Sequence, residues 1–347
     1  MPDNAPESIA PALLAWYDVH ARRLPWRAPP GADATDPYKV WLSEVMLQQT
    51  QVATVIPYFE KFTARWPSFA AMAAAEDADV MAAWAGLGYY ARARNMLACA
   101  REVARLGVLP DTEAGLRALP GIGDYTAAAI AAIAFGRRAV VVDANVERVV
   151  TRLFAMAEPL PGSRPAIRRR TDTITPDARA GDFAQAMMDL GSGICTVRAP
   201  KCLLCPIAFG CKARVDGNPE AYPVKAKKQP KPQRHGTMFW LEREGQVLLV
   251  RRPDKGLLGG MRALPTGPWV EAPPGTADAP ADAAWRMLNE TVRHGFTHFD
   301  LEVALATATI SRHASAPPGE WWPIDDLESA GLPTVFAKAA KAIRRLR

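Results

Sequence analysis

Residues 195–211, CTVRAPKCLLCPIAFGC, carry four of the chain's five cysteines at the spacing C-x6-C-x2-C-x5-C. Cys195, Cys202, Cys205 and Cys211 lie within seventeen residues, close enough for four thiolates to converge on one soft-metal centre. C-x2-C is also zinc punctuation, but zinc sites usually add a second such pair or histidines, and this segment has neither. Ligand type therefore favours a [4Fe-4S] cluster and leaves zinc as the rival. Cys99, within the helical run 91–106, reads as a small core residue.

Working outward, residues 8 to about 222 read as mostly helical. Apolar residues recur at i, i+3 and i+4 over 38–51, 79–85, 90–106, 125–135, 144–155 and 182–194, with Gly and Pro between the runs. The stretch 223–236, PVKAKKQPKPQRHG, has three prolines, five basic residues and no acid, and reads as a stiff basic linker. Beyond it, 237–240 and 246–251 predict a β-hairpin, a helix is expected near 281–293, and this smaller half reads as α+β. At 347 residues the chain has room for two cores. Its apolar runs are too short to span a bilayer, and residues 1–10 lack the pattern of a secretory signal. The net charge of +6 is mild support for a polyanionic partner.

Three segments carry chemistry. LPGIGDYTA (119–127) is a Gly-x-Gly turn opening a helix, whose free N–H groups suit a phosphate as well as a simple turn. Asp143 follows an apolar run and precedes a helix, so it reads as an N-cap whose carboxylate is also available to stabilise a cation. Glu44 lies one turn from Val40, Trp41 and Leu47, on the apolar side of its helix. A carboxyl so placed titrates high and stays protonated near neutral pH, as a general acid must. Two carboxyl groups in unlike surroundings are what cleavage of a glycosidic C–N bond uses.

SEVMLQQTQV (43–52), GLGYYARARN (86–95), LPGIGDYTAAAI (119–130), VVDANVERV (141–149) and the four cysteines occur in one order. Together they resemble the helix-hairpin-helix DNA glycosylases with an iron–sulfur cluster, and more narrowly the MutY family of adenine DNA glycosylases. The resemblance implies a mainly α, helix-hairpin-helix glycosylase region at 1–224, with a six-helix part at about 30–135. An iron–sulfur part would comprise 1–29 and 136–224, with one [4Fe-4S] cluster on the four cysteines. It further implies a basic linker at 225–236 and a C-terminal α+β, Nudix-like 8-oxoguanine recognition domain at 237–347. The implied activity is base excision repair: a flipped adenine, mispaired with 8-oxoguanine or guanine, loses its N-glycosidic bond to water.

Within that resemblance, Glu44 protonates adenine, Asp143 stabilises the oxocarbenium-like sugar, and Tyr125 and Asn145 orient them. Gln48, Gln49 and Tyr89 enter the base stack, Gly121 and Gly123 hold a phosphate, and Arg27 contacts DNA. Phe296-Thr297-His298 stands where the family has a Phe-Ser-His loop that probes the oxidised guanine. Bifunctional relatives of the endonuclease III type carry a Schiff-base Lys where this chain has Tyr125, so a monofunctional glycosylase is expected. The segment 286–290, RMLNE, lacks the Glu-rich helix of a Nudix hydrolase, which points to recognition without hydrolysis. Met261-Arg-Ala-Leu264 and Asp124 depart from the family pattern and bear on lesion affinity. The implied partner is duplex DNA with an adenine:8-oxoguanine mispair, bound by a monomer. No membrane association is implied; the setting is cytoplasmic, nucleoid-associated in a bacterium, or nuclear or mitochondrial in a eukaryote. A cluster-bearing DNA sensor without catalysis, a bifunctional pyrimidine glycosylase and a nucleotide hydrolase are the alternatives.

Overall fold

A computed structural model of the chain describes residues 5–32, 35–226, 230–253, 256–314 and 317–346. The chain divides into two compact units, Met1–Lys227 and Lys228–Arg347.

The first unit is helical: α1 (Ala5–His20), α2 (Pro37–Leu47), α3 (Val52–Arg65), α4 (Phe69–Ala73), α5 (Asp77–Ala83), α6 (Tyr90–Leu106), α7 (Glu113–Arg117), α8 (Asp124–Phe135), α9 (Ala144–Leu153), α10 (Arg164–Asp172), α11 (Ala180–Gly193) and α12 (Lys212–Val215). The helix predicted over 38–51 stops at Leu47. Gln48 leaves helical backbone at φ −56°, ψ 112°, and Gln49 takes a left-handed φ of 57°. At its start, Pro37 occupies the first turn and the Asp36 carboxylate accepts from the Tyr38 N–H at 2.9 Å. Trp41, Leu42 and Met46 then bury one side of α2 with Phe59, Phe62 and Trp84.

At the centre lies α8, DYTAAAIAAIAF, buried from Thr126 to Ala132. Alanine carries no rotamer entropy and lets neighbouring backbones approach closely, so α2, α7 and α11 all pack on this helix. Two glycines mark where approach or turning excludes a side chain. Gly121 turns at φ +73° with its free face against Asn95, and a Cβ on Gly191 would stand 2.6 Å from the Cβ of Asn145.

The second unit is a mixed sheet of β1 (Gln233–Arg243), β2 (Gln246–Arg251), β3 (Arg262–Ala263), β4 (Arg286–Gly295), β5 (Asp300–Thr309) and β6 (Glu320–Pro323), with helix α13 (Thr334–Arg345). Strand order is β3-β2-β1-β5-β4, and β6 pairs with β2. The β1–β5 pair is parallel and the other pairs are antiparallel. The predicted hairpin is β1–β2. Phe336, Ala339 and Ile343 of α13 bury themselves with Met238, Trp240, Val303 and Leu305.

Two expectations need correction here. The helix expected near 281–293 is instead strand β4, because Thr291 to Gly295 pair with Ala304 to Asp300 and Val292 turns into the core. Cross-strand pairing overrides the helical pattern. The stretch read as linker is shorter than expected, since Gln233 already opens β1 and Lys225 is bridged to Leu160. Of its basic residues, Lys227 and Lys228 lie outside the described residues. Among the described residues, no helix is long and apolar enough to cross a membrane.

Candidate active site

A cavity of about 960 Å³ opens in the first unit. Glu44 comes to it from α2, Gln48 and Gln49 from the end of α2, and Tyr125 from the first turn of α8. Asp143 and Asn145 come from the start of α9, Gly121 and Gly123 from the turn before α8, and Arg27 from the segment after α1. These residues span 119 positions of sequence and meet only because α2, α8 and α9 converge.

Glu44 is only 6% exposed. Burial raises its pKa to about 7; the Tyr125 hydroxyl, which donates to the carboxylate, pulls it down, the nearby Asp143 pushes it up, and Arg27 pulls it down. Burial also lifts the Tyr125 phenol well above its usual range, with the Glu44 and Asp143 charges next in effect, so Tyr125 stays a donor. Asp143 is the N-cap of α9. Its Oδ1 accepts from the Val146 N–H at 2.7 Å, while Oδ2 accepts from Asn145 Nδ2 at 2.8 Å. Asn145 is itself pinned, because its Oδ1 accepts from Arg148 Nη2 at 2.9 Å. Arg148 also donates to the carbonyls of Gly191 at 2.6 Å and Cys195 at 2.7 Å.

Arg27 differs from expectation. Its two terminal nitrogens donate to Asp189 at 2.8 and 3.0 Å, and its side chain is 6% exposed. It walls the cavity and acts on Glu44 through charge; it is not a free cation facing DNA. Asp189 also accepts from the backbone N–H and Nε of Arg22, at 3.0 and 2.6 Å. Arg22, Asp189 and Gln185, another cavity-lining residue, were missed in the sequence reading. Gln185 and Asp189 stand four apart on the buried face of α11, and that polar interruption of an apolar stripe was the available signal.

Gln48 turns its side chain inward, 3.4 Å from the Thr126 hydroxyl, whereas Gln49 is exposed. Tyr89 does not line the cavity; it stands 63% exposed at a left-handed φ of 48° before α6. Gly121 and Gly123 are exposed at the hairpin turn, and Asp124 beside them is paired with Arg117 at 3.2 Å, which offsets its charge.

The four cysteines line a second, small cavity of about 30 Å³ together with Arg152, Ile194 and Pro200. Among the described residues no three Cys, His, Asp or Glu side chains close on a point as around a single ion. Burial pushes the Cys205 thiol up to about 12, so a thiolate there needs a positive centre beside it. Arg152, 2% exposed, donates to the carbonyls of Thr196 at 2.7 Å, Val197 at 3.1 Å and Tyr222 at 3.1 Å, with Cys195 Sγ at 3.3 Å.

In the second unit, the Phe296 N–H donates to the Phe299 carbonyl at 2.9 Å and closes a tight turn. Thr297 and His298 are exposed at its tip. Phe296 is packed inward, stacked on Trp269 with ring centres 5.4 Å apart and in contact with Phe299 and His294. It anchors the turn through this ring packing.

A model of the HhH-GPD superfamily of base excision DNA repair proteins matches residues 42–170, and a NUDIX domain model matches 237–342. The adenine DNA glycosylase of Homo sapiens is 34% identical over 400 aligned positions, covering 94% of this chain and 72% of that protein. That of Mycolicibacterium smegmatis (strain ATCC 700084 / mc(2)155) is 44% identical over 216, covering 61% and 72%. That of Buchnera aphidicola subsp. Baizongia pistaciae (strain Bp) is 29% identical over 349, covering 96% of each. Among solved structures, a thermostable thymine-DNA glycosylase is 28% identical with a TM-score of 0.56, covering 62% of this chain and 98% of its own. A non-covalent endonuclease III–DNA complex, 20% identical with a TM-score of 0.52 and covering 62% and 98%, shares the fold.

Proposed function

The chain belongs to the adenine DNA glycosylase family, and from that membership we propose that it removes adenine mispaired with 8-oxoguanine as a monofunctional glycosylase. The observation that carries this reading is the pairing of a buried Glu44 with an N-capping Asp143 in one cavity beside the hairpin turn. Its volume lies within the range of small-ligand sites and admits an extruded base.

Glu44, with a pKa near 7, is protonated in an appreciable fraction of molecules at neutral pH. It delivers its proton to a ring nitrogen of adenine, so that the base leaves neutral. Tyr125 donates to the carboxyl and fixes its orientation. As the C–N bond lengthens, positive charge grows on the sugar, and Asp143 is the anion held to meet it. The hydrogen bonds from Val146 and Asn145 keep that carboxylate in place, so little reorganisation is needed when charge develops. Water completes the hydrolysis. Tyr125 has no amine to form a Schiff base, so the strand is left with an intact abasic site.

Gly121 and Gly123 offer exposed backbone N–H groups to a phosphate of the lesion strand. Gln48, Gln49 and Tyr89 open the stack. Thr297 and His298 read the base opposite. Cys195, Cys202, Cys205 and Cys211 fit a [4Fe-4S] cluster by the chemistry of the donor set: four half-buried thiols and no histidine line one small cavity. Bound there, the cluster supplies a cationic core that holds the thiolates and fixes the loop.

The test is single-turnover excision on a duplex with adenine opposite 8-oxoguanine, analysed with and without alkali. Strand breaks that appear only after alkali are expected. Equal breakage without alkali would overturn the monofunctional assignment, and no abasic product with tight binding retained would favour the non-catalytic sensor.

A further inference from the structure

The two segments expected to enter the base stack are joined by one side chain. Arg92, in the first turn of α6, donates through Nη1 to the carbonyls of Met46, at 2.9 Å, and Gln48. Through Nη2 it donates to the Thr50 hydroxyl and the Leu87 carbonyl, both at 3.1 Å. Its guanidinium also lies over the rings of Trp84 and Tyr89, 5.3 and 5.5 Å from their centres. The partners at 46–50 lie at the end of α2 and just beyond it, and those at 84–89 precede α6, so the two segments share no backbone. Both also carry backbone that L-residues adopt rarely, with Gln49 at φ 57° and Tyr89 at φ 48°. Such conformations persist where surrounding contacts over-determine them.

We propose that Arg92 is a positioning residue that fastens the Gln48–Thr50 and Leu87–Tyr89 segments into one preformed wedge. This rests on the reading that Gln49 and Tyr89 enter the stack. A planar guanidinium with donors in a fixed fork reaches acceptors on two segments while its faces meet aromatic rings; an ammonium on a flexible stem does not reproduce that fan. The wedge then meets the duplex without first ordering two loops, which is the gain expected from pre-organisation.

The experiment follows extrusion apart from chemistry. 2-Aminopurine, placed beside the target adenine in an adenine:8-oxoguanine duplex, reports unstacking by fluorescence while excision is quenched and counted on the same strand. Arg92→Lys should slow the fluorescence rise by about tenfold to a hundredfold, with excision slowed to match. The pH profile of excision measured once extrusion is complete should be unchanged. Tyr89→Ala should also slow extrusion, and the Arg92→Lys/Tyr89→Ala pair should be no slower than the worse single variant, because both act on one unit. Thr50→Val, which removes a single acceptor and no charge, should slow extrusion less and guards against a variant that fails to fold. Extrusion at the wild-type rate in Arg92→Lys, with Tyr89→Ala slow, would overturn the brace and leave the wedge standing. Wild-type extrusion in Tyr89→Ala would overturn the wedge and the brace with it. Multiplicative losses in the double variant would overturn the single unit.

Discussion

Glu44 answers to three other segments of the first unit, one through a hydrogen bond and two through charge, whereas Thr297 and His298 ride on a single turn of the second. Around Glu44 stand the Tyr125 hydroxyl of α8, Asp143 at the start of α9, and Arg27, which is locked to Asp189 of α11. Around Thr297 and His298 stand the Phe296–Phe299 backbone hydrogen bond and a Lys231 Nζ that donates to the Phe296 carbonyl, with Phe296 as an anchor in an aromatic cluster. The difference teaches where each kind of precision is needed. Proton delivery to a chosen atom tolerates little misplacement, so its groups are braced from several directions. Reading the face of a base needs exposed donors and acceptors near the surface, and a short anchored turn supplies them.

The largest test of that contrast is Glu44→Gln. Excision should fall by about a thousandfold or more, with duplex affinity little changed, since general acid catalysis alone contributes on that order. Retained turnover would remove Glu44 from the mechanism. Stability should move the other way. Burial holds the folded-state pKa at about 7, above 4.5 for the free group, so the native state binds more protons and loses stability as pH rises from about 4.5 through 7. Gln escapes that loss, and thermal unfolding at pH 8 should show the variant gaining up to about 3 kcal/mol relative to its effect below pH 4.5. In the wild type, single-turnover excision should decline as pH rises past about 7, because the protonated acid is depleted; a flat profile to pH 9 would contradict the assignment.

Intermediate in size is Asn145→Ala. It frees one oxygen of Asp143 and deprives Arg148 of an acceptor, while both carboxyl groups remain in the chain. Excision should slow by roughly tenfold to a hundredfold with the pH dependence kept, as expected for loss of a single orienting hydrogen bond. An unchanged rate would mean that Asp143 needs only its N-cap bond to Val146. Smallest should be Thr297→Ala with His298→Ala. Excision opposite guanine should stay within about twofold, while the advantage of 8-oxoguanine falls by about tenfold, the value of one to two hydrogen bonds. A loss shared equally by both substrates would mean that this turn supports structure and does not discriminate.

The core of the site was legible in the chain because each element announces itself locally. Glu44 interrupts an apolar helical face, Asp143 sits where an N-cap belongs, and the cysteines are spaced for one centre. What escaped is carried by partners distant in sequence. Arg27 and Asp189 are 162 positions apart, and no periodicity reports that one neutralises the other. Arg148 and Arg152 read as ordinary polar positions of α9, yet their donors go to carbonyls of the cysteine loop and its neighbours. Strand β4 was misread for a related reason. Met287, Leu288 and Val292 fit a helical stripe, and only the neighbouring β5 decides that the segment is extended.

Helix α8 has a further meaning for how this molecule tolerates change. From Ala127 to Ala132 it offers one isoleucine and five alanines, all buried, against helices on several sides. Such a segment has no side-chain volume to trade: enlargement drives neighbours apart, and reduction to glycine loosens the backbone. Tyr125 and the hairpin glycines are attached at its leading end and inherit its position. Sequence drift should therefore collect on the outward faces of the surrounding helices, and this central rod should change least in any population of functioning variants.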